Sequence, residues 1–465
     1  MIMKAHINYK LKNIVLSIIT CFVLFACEEF TEVDQPKGQI PKDLVFEDES
    51  TATSTVTSIY AKLRDDTLLT GNLYGLGVLM GFYTDEMEYY ADTNTGIYPF
   101  YSHEITADND VVKALWDGSY QTIYMTNLVI EGLENSTSLS PETKQQLRGE
   151  VLFLRALVHF YLLNLFNDIP YVVTTDYLIN QDVSRSSMEE VYSYILTDLL
   201  EAKEILSETY VGAERIRANK FVVSALLSRV YLYMGYWENA ISESSLVINN
   251  TGLYYLEPIE NEFLKESGSA ILQFKPKNSG DNTNEAISYY FIYGPPYFMS
   301  MSSTLISSFE PQDLRLHHWV RIVSDGSQNW YAPYKYREVE NTGTSMEYSI
   351  VFRLAEMFLI RAEARLQIGD LTGSMADLNT IRNRAGLDEI IGASPLELSD
   401  AILMERNHEL FTEFGHRWFD LKRFGMAESV LMDIKPNWQS RDAWLPIPEL
   451  ELLMNPNLLP QNTGY

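Results

Sequence analysis

The stretch ALLSRVYLYMGYWENA (225–240) reads as two helices meeting at a glycine. Small and apolar residues run up to Met234, Gly235 makes the turn, Trp237 stands two positions after it and Ala240 five. This is the signature of a tetratricopeptide hairpin, in which small side chains let paired helices approach closely. A looser copy runs from Ala362 to Ala376, with Gly369 at the turn and two extra residues before Ala376. Two copies predict stacked helix pairs, and the roughly 130 residues between them exclude a regular solenoid.

Outward from this hairpin, helical periodicity dominates. Val56, Ile59, Tyr60 and Leu63 recur three and four apart over 51–63, and Leu115, Trp116, Tyr120, Ile123, Tyr124 and Leu128 do so over 111–133. A third helix is predicted from Pro141 to Leu165, stopped by Asn167-Asp168-Ile169-Pro170. A fourth, to Leu206, is capped by Ser186 or Ser187, with Glu189 and Glu190 favouring its dipole. Residues 252–349 are rich in Gly, Pro, Asn, Ser and Tyr and read as loops with a few small strands, Ala270 to Phe274 among them. Helix returns over 402–414, stops at Gly415, and resumes briefly through Trp418 and Leu421 before a Pro- and Asn-punctuated tail.

The N-terminus carries Lys4, Lys10 and Lys12, an apolar run from Ile14 to Ala26, then Cys27. The run is too short to span a bilayer comfortably, and no later stretch reads as long and apolar enough to try; it is a secretory signal. Leu24-Phe25-Ala26-Cys27 resembles a bacterial lipobox, which implies removal of residues 1–26 and lipidation of Cys27. Several acyl chains, each contributing about 0.8 kcal/mol per buried CH2, then make a stable membrane anchor. Cys21 lies in the removed run, so Cys27 is the only thiol of the mature chain, which excludes a disulfide or Cys-ligated metal. The 35 basic and 63 acidic residues become 32 and 63, a net charge of −31, which argues against a nucleic-acid partner. Residues 27–49, with Glu28, Glu29, Glu32 and Asp34, read as an acidic tether. Residues 50–465 read as one domain: a helical half (50–250), a loop-rich binding segment (251–349), and C-terminal helices with their tail (350–465).

Five segments together resemble the SusD/RagB family: RGEVLFLRALVHFYLLNLFNDIPY (148–171), RVYLYMGYWENAI (229–241), FRLAEMFLIRAEARLQIGDL with LNTIRNRAGL (352–387), ILMERNHELFTEFGHRWFDLKRFG (402–425), and LPIPELELLMNPNLLPQN before Gly464-Tyr465. The resemblance implies a mainly α, SusD-like fold with four tetratricopeptide-like helix pairs packed against a loop-rich part. It implies an outer-membrane lipoprotein, facing the exterior, that captures a glycan and delivers it to a SusC-like, TonB-dependent transporter. The RagB branch implies peptides as an alternative ligand, and a scaffold that binds only proteins stays open. Arg406, Glu409, Glu413, Arg417 and Asp420, at spacings of three and four, are expected to pair between helix and flanking turn rather than touch ligand.

Signatures of catalysis or of a cofactor are sparse. His408-Glu409 opens a zinc-protease pattern, but Thr412 stands where the second His belongs. No Gly-x-Ser-x-Gly elbow occurs, Gly75, Gly77 and Gly81 miss the dinucleotide-loop spacing, and no EF-hand pattern is present. A glycosidase needs two carboxylates across a cleft; Asp85, Glu86 and Glu88 are neighbours in sequence and rarely reach opposite walls. The chain therefore reads as a binding protein without cofactor or metal.

Sugar capture asks for aromatic faces beside polar side chains. Three loops supply the mixture: 83–101 with Tyr83, Asp85, Glu86, Tyr89, Tyr90 and Tyr98; 289–298 with Tyr293, Tyr297 and Phe298 around Pro295-Pro296; and 328–336 with Asn329, Trp330 and Tyr331. Trp330, a large apolar face beside Gln328 and Asn329, is the single most favoured ligand contact.

Overall fold

The helices of the first half follow the sequence closely, whereas the one expected over 402–414 runs from Pro395 to Leu410, because Ser394 and Glu397 form a capping box at its start and the chain turns extended at Phe411. In this computed structural model α1 is Glu49–Asp65, α2 Leu76–Tyr83, α3 Asp110–Asn135, α4 Pro141–Phe166, α5 Met188–Ile205, α6 Lys220–Met234 and α7 Trp237–Ile248. After the loop-rich stretch come α8 (Leu354–Gln367), α9 (Leu371–Arg384), α10 (Pro395–Leu410) and α11 (His416–Arg423). The structure describes residues 42–66 and 68–465, of which 46–465 form one compact unit. The signal segment 1–26, Cys27 and all of the tether before residue 42 lie outside the described residues.

Local chemistry sets the helix boundaries. Asn109 accepts from the backbone of Val111 and Val112 to start α3, and Ser140 caps α4 ahead of Pro141. Ser187 caps α5, with Glu190 reaching back to complete a capping box. Gly235 ends α6 at φ +73°, a backbone that residues with a Cβ rarely adopt, and α7 turns back from it. This is the hairpin that the sequence signature predicts.

Helix α4 packs on α3 and α5, α6 on α5 and α7, and α8 on α7 and α9. The long interval between the two hairpins is closed in space: the chain leaves the stack at Ile248, builds the loop-rich part, and re-enters at Leu354 against α7. One sequence expectation is corrected. Helix α4 is long and apolar enough to cross a membrane, but its apolar window is wholly buried, because helices cover it on several sides. Ala355, Leu359, Ala362, Leu378, Ile381, Leu398 and Ile402 form the core of the α8–α10 end.

Charged residues inside the stack are paired. Arg155 makes two hydrogen bonds to Asp198 at 2.7 Å, joining α4 to α5, and Arg229 makes two at 2.7 Å to Glu356, joining α6 to α8. Arg361 holds Asp377 at 2.7 and 2.9 Å within the second hairpin. Such pairs gain little net stability over apolar packing but cost heavily when one partner is removed. The C-terminal motif residues pair as well, mostly with groups outside the motif. Arg406 holds Asp420 at 2.7 Å, but Glu409 meets Arg315, Arg353 and Arg384, Glu413 meets Arg353 and Lys335, and Arg417 meets Asp85.

The loop-rich part holds strands β1 (Met87–Tyr89), β2 (Ala270–Phe274), β3 (Met299–Met301), β4 (Val320–Ser324), β5 (Asn329–Pro333) and β6 (Ser349–Arg353). Among the described residues they pair antiparallel as β1–β3, β2–β6 and β4–β5.

Candidate functional site

The β1–β3 ladder brings two of the three aromatic loops together. Tyr89 lies opposite Met299, and Tyr90 donates its backbone N–H to the Phe298 carbonyl at 2.9 Å. Ser302 fixes the register by donating its N–H to the Glu86 carbonyl at 2.8 Å and its hydroxyl to the Asp85 carbonyl. Tyr89 then sits at the middle of an aromatic cluster, with ring centroids 5.2 Å from Phe82, 5.4 Å from Phe298 and 5.4 Å from Tyr98. Its ring stacks on Tyr101 at 5.9 Å. Contacts of this kind contribute about 0.5–1.5 kcal/mol each beyond the area they bury. Tyr89 donates its hydroxyl to the Asp92 carbonyl at 2.8 Å and lies 2.8 Å from the Thr95 hydroxyl, and burial raises its pKa. This fixed base carries the exposed rings of Tyr90, Tyr293 and Tyr297, the last 89% exposed, with Tyr98 half-buried beside them.

The third loop is a hairpin. Val323 pairs with Trp330 and Ile322 with Tyr331, so Trp330 and Tyr331 point to opposite faces. Asn329 is exposed at the hairpin end, where Asp325 accepts from the backbone of Ser327 at 2.7 Å and of Gln328 at 2.9 Å. Strand β5 also packs against β3, which brings the hairpin beside the other two loops.

Several predicted contacts lie below this surface. Trp330 is 5% exposed because Gly294 lies directly on its ring: a Cβ there would meet Cε3 at 2.0 Å. Trp330 thus supports the Tyr293–Tyr297 loop from beneath rather than offering a stacking face. Tyr83 is buried and donates to the Asp442 carbonyl at 2.8 Å. Asp85 accepts two hydrogen bonds from Arg417, at 2.8 and 2.6 Å. Glu86, 2% exposed, accepts from the Thr412 N–H at 3.3 Å. Burial, then the neighbouring Asp85 charge, pushes its carboxyl up to about 8, against the pull of Arg417. Asp85, Glu86 and Tyr83 therefore hold β1 in place from below.

Two cations not singled out from sequence, Arg321 and Lys435, belong to the support. Tyr290 and Tyr334 flank the Arg321 guanidinium at 4.7 and 5.4 Å, while Arg321 donates to the Phe291 carbonyl. Tyr101 donates to Glu88 at 2.8 Å, and the Lys435 ammonium lies 3.8 Å from the Tyr101 ring centroid. Burial lowers Lys435 to about 8, with Glu88 and Asp85 opposing that shift. The His408-Glu409 pair is structural: His408 stacks on Phe309 at 4.2 Å and meets the Ser308 hydroxyl at 2.8 Å, while Glu409 is held by arginines.

The helical-repeat scaffold with its loop-rich part defines a class of protein fold, and similarity to known proteins places the chain in a family. Residues 41–232 match the family described as "Starch-binding associating with outer membrane", and residues 304–465 match the SusD family. The chain belongs to the SusD/RagB family, whose members are associated with the outer membrane. A SusD-like protein of Formosa agariphila is 25% identical over 98% of this chain and all of its own length. A second from that organism is 28% identical over 77% of this chain and 81% of its own. Among solved structures, a SusD superfamily protein of Bacteroides vulgatus aligns with TM-score 0.78 and 22% identity over 90% of this chain and all of its own. A laminarin-binding SusD-like protein aligns with TM-score 0.75 and 23% identity over 90% of this chain and 99% of its own.

Proposed function

We propose that this protein binds a glycan without altering it, on the face carrying Tyr90, Tyr98, Tyr293 and Tyr297, and passes it to a SusC-like, TonB-dependent transporter. The observation that carries the reading is the build of that face: exposed rings on two loops joined by β1–β3 and backed by the Tyr89 cluster. Aromatic rings stack on the apolar faces of pyranoses, and a preformed base avoids the entropy of ordering loops on binding. Asp92, in the turn whose carbonyl accepts from Tyr89, stands near as a hydroxyl partner. The family description and the laminarin-binding relative point the same way. Lipidation at Cys27 is the proposed anchor.

A second exposed face supports the transporter partnership. Tyr177 and Met454 line one cleft, and Leu178, Ile179 and Leu453 in the same two segments are exposed, Leu178 to 70% and Met454 itself to 79%. Asn455 ties the two segments by donating to the Val183 carbonyl at 2.8 Å. Exposed apolar patches rimmed by polar residues mark interaction surfaces, and the acids Asp176, Asp182 and Glu449 at this rim favour a partner with flanking basic residues. Residues 96–110 connect this face to the aromatic one, since Gly96 accepts from Asn109 at 3.0 Å and Ala107 from the Glu449 N–H at 2.8 Å.

Calorimetric titration with a glycan panel, followed by chromatography of the recovered ligand, tests the reading. Binding with the ligand recovered intact is expected. Cleaved product, or binding to peptides and not to glycans, contradicts it.

A further inference from the structure

The charges around the aromatic face are unevenly disposed. Glu88 lies on β1 between Met87 and Tyr89, half-buried, with one oxygen accepting from Tyr101. Asp92 is exposed in the following turn, accepting from the Asn94 N–H at 2.9 Å, and its charge acts on the Tyr89 hydroxyl. Asp325 is exposed at the neighbouring hairpin tip. Among the described residues, four cations close to this face are engaged below it. Lys435 donates to the Phe82 carbonyl at 2.8 Å beneath Tyr101. Arg321 is held between Tyr290 and Tyr334 and donates to the Phe291 carbonyl. Arg417 is committed to Asp85, and Lys335 to Glu413 and to the Glu409 and Phe411 carbonyls.

A carboxylate- or sulfate-bearing sugar laid on these tyrosines therefore meets carboxylates at the edge, with the cations already engaged below. Moving a cation outward to meet it would strand Asp85, leave Glu413 with Arg353 alone, or open the packing under Tyr101 or Tyr334, each a buried charge less compensated or a cavity left behind. Neutral pyranoses meet no such opposition, and their hydroxyls can donate to Glu88 and Asp92, as carboxylates accept strongly.

We propose that this site selects uncharged glycans and rejects chains bearing carboxylate or sulfate groups, with Glu88 and Asp92 as the discriminating residues. The inference rests on the glycan-binding reading above and adds the ligand's charge class to it. Calorimetry with maltohexaose, laminarihexaose and mannohexaose, against hexagalacturonate and a chondroitin sulfate hexasaccharide, tests it. At 50 mM salt at least one neutral chain should bind about tenfold or more tightly than either anionic one, with little change at 500 mM salt. Screening is expected to narrow the gap by strengthening the anionic ligands. In the Glu88→Gln/Asp92→Asn protein the ratio of anionic to neutral affinity should rise about tenfold. An anionic chain that binds as tightly as the neutral ones, or more weakly as salt rises, overturns the selection while leaving glycan binding intact. Silence across both classes refutes the glycan reading, and the selection falls with it.

Discussion

Replacing Glu86 by Gln removes one titration beneath the binding face while keeping the side chain's shape and its acceptor for the Thr412 N–H. Glu86 is raised from 4.5 to about 8, chiefly by burial. A carboxyl with a raised folded-state pKa is held neutral in the folded protein, so its ionisation in the unfolded chain draws stability away as pH climbs above 4.5. The loss continues until the folded group ionises near 8. Linkage over that window gives a cost of about 1 kcal/mol at pH 5 and about 3 kcal/mol at pH 7. Gln carries no such cost. Its second amide hydrogen adds a penalty that does not vary with pH, so the slope, not the offset, carries the signal. Urea unfolding of both proteins at pH 5, 6 and 7, followed by tryptophan fluorescence, should show the Gln protein gaining about 2 kcal/mol on the wild type across the range. Parallel curves would refute the assignment of a neutral, buried Glu86. Glycan affinity should be unchanged, since Glu86 lies under β1; a large loss would return it to the ligand surface.

Tyr297→Ala should weaken glycan binding about tenfold in calorimetry without moving the unfolding midpoint, because the ring is exposed. Trp330→Ala should lower both, costing about 3–5 kcal/mol of stability, since it empties the support under Gly294. Arg229→Ala leaves Glu356 buried without its partner and should cost about 3–5 kcal/mol in chemical denaturation. Burial, helped at His408 by Arg315 and other nearby arginines, lowers His159 and His408 to about 3. A depressed histidine resists protonation in the folded state, so stability is whole above about 6.5 and falls as pH drops, by about 2 kcal/mol per residue at pH 5; His408→Gln should flatten that limb.

The helical stack was legible because its signals are local. Gly235 between two apolar runs, Ser187 with Glu190, and Pro141 after Ser140 each fix a boundary within a few residues. Helix α2 was not: LGVLMGFY is apolar throughout, so it shows no periodicity to read. Strand β1 is three residues long and finds its partner more than two hundred residues away. The loops that form the candidate site could be named from composition, but the depth of each ring could not. Trp330 is covered by Gly294 and Asp85 is claimed by Arg417, 332 positions along the chain, and no pattern near either residue announces its partner. Tyr90 and Tyr297 stay exposed while their neighbours Tyr89 and Phe298, half-buried, pack ring against ring in the aromatic cluster.

The central claim is that the strand-joined tyrosine face captures a glycan. Calorimetry of the protein and its Tyr90→Ala/Tyr297→Ala variant against the same neutral glycan tests it most directly. Saturable binding by the wild type, at least tenfold weaker in a variant that unfolds at the same urea concentration, is the predicted result. Equal affinity in the two proteins would place the ligand elsewhere and contradict the account.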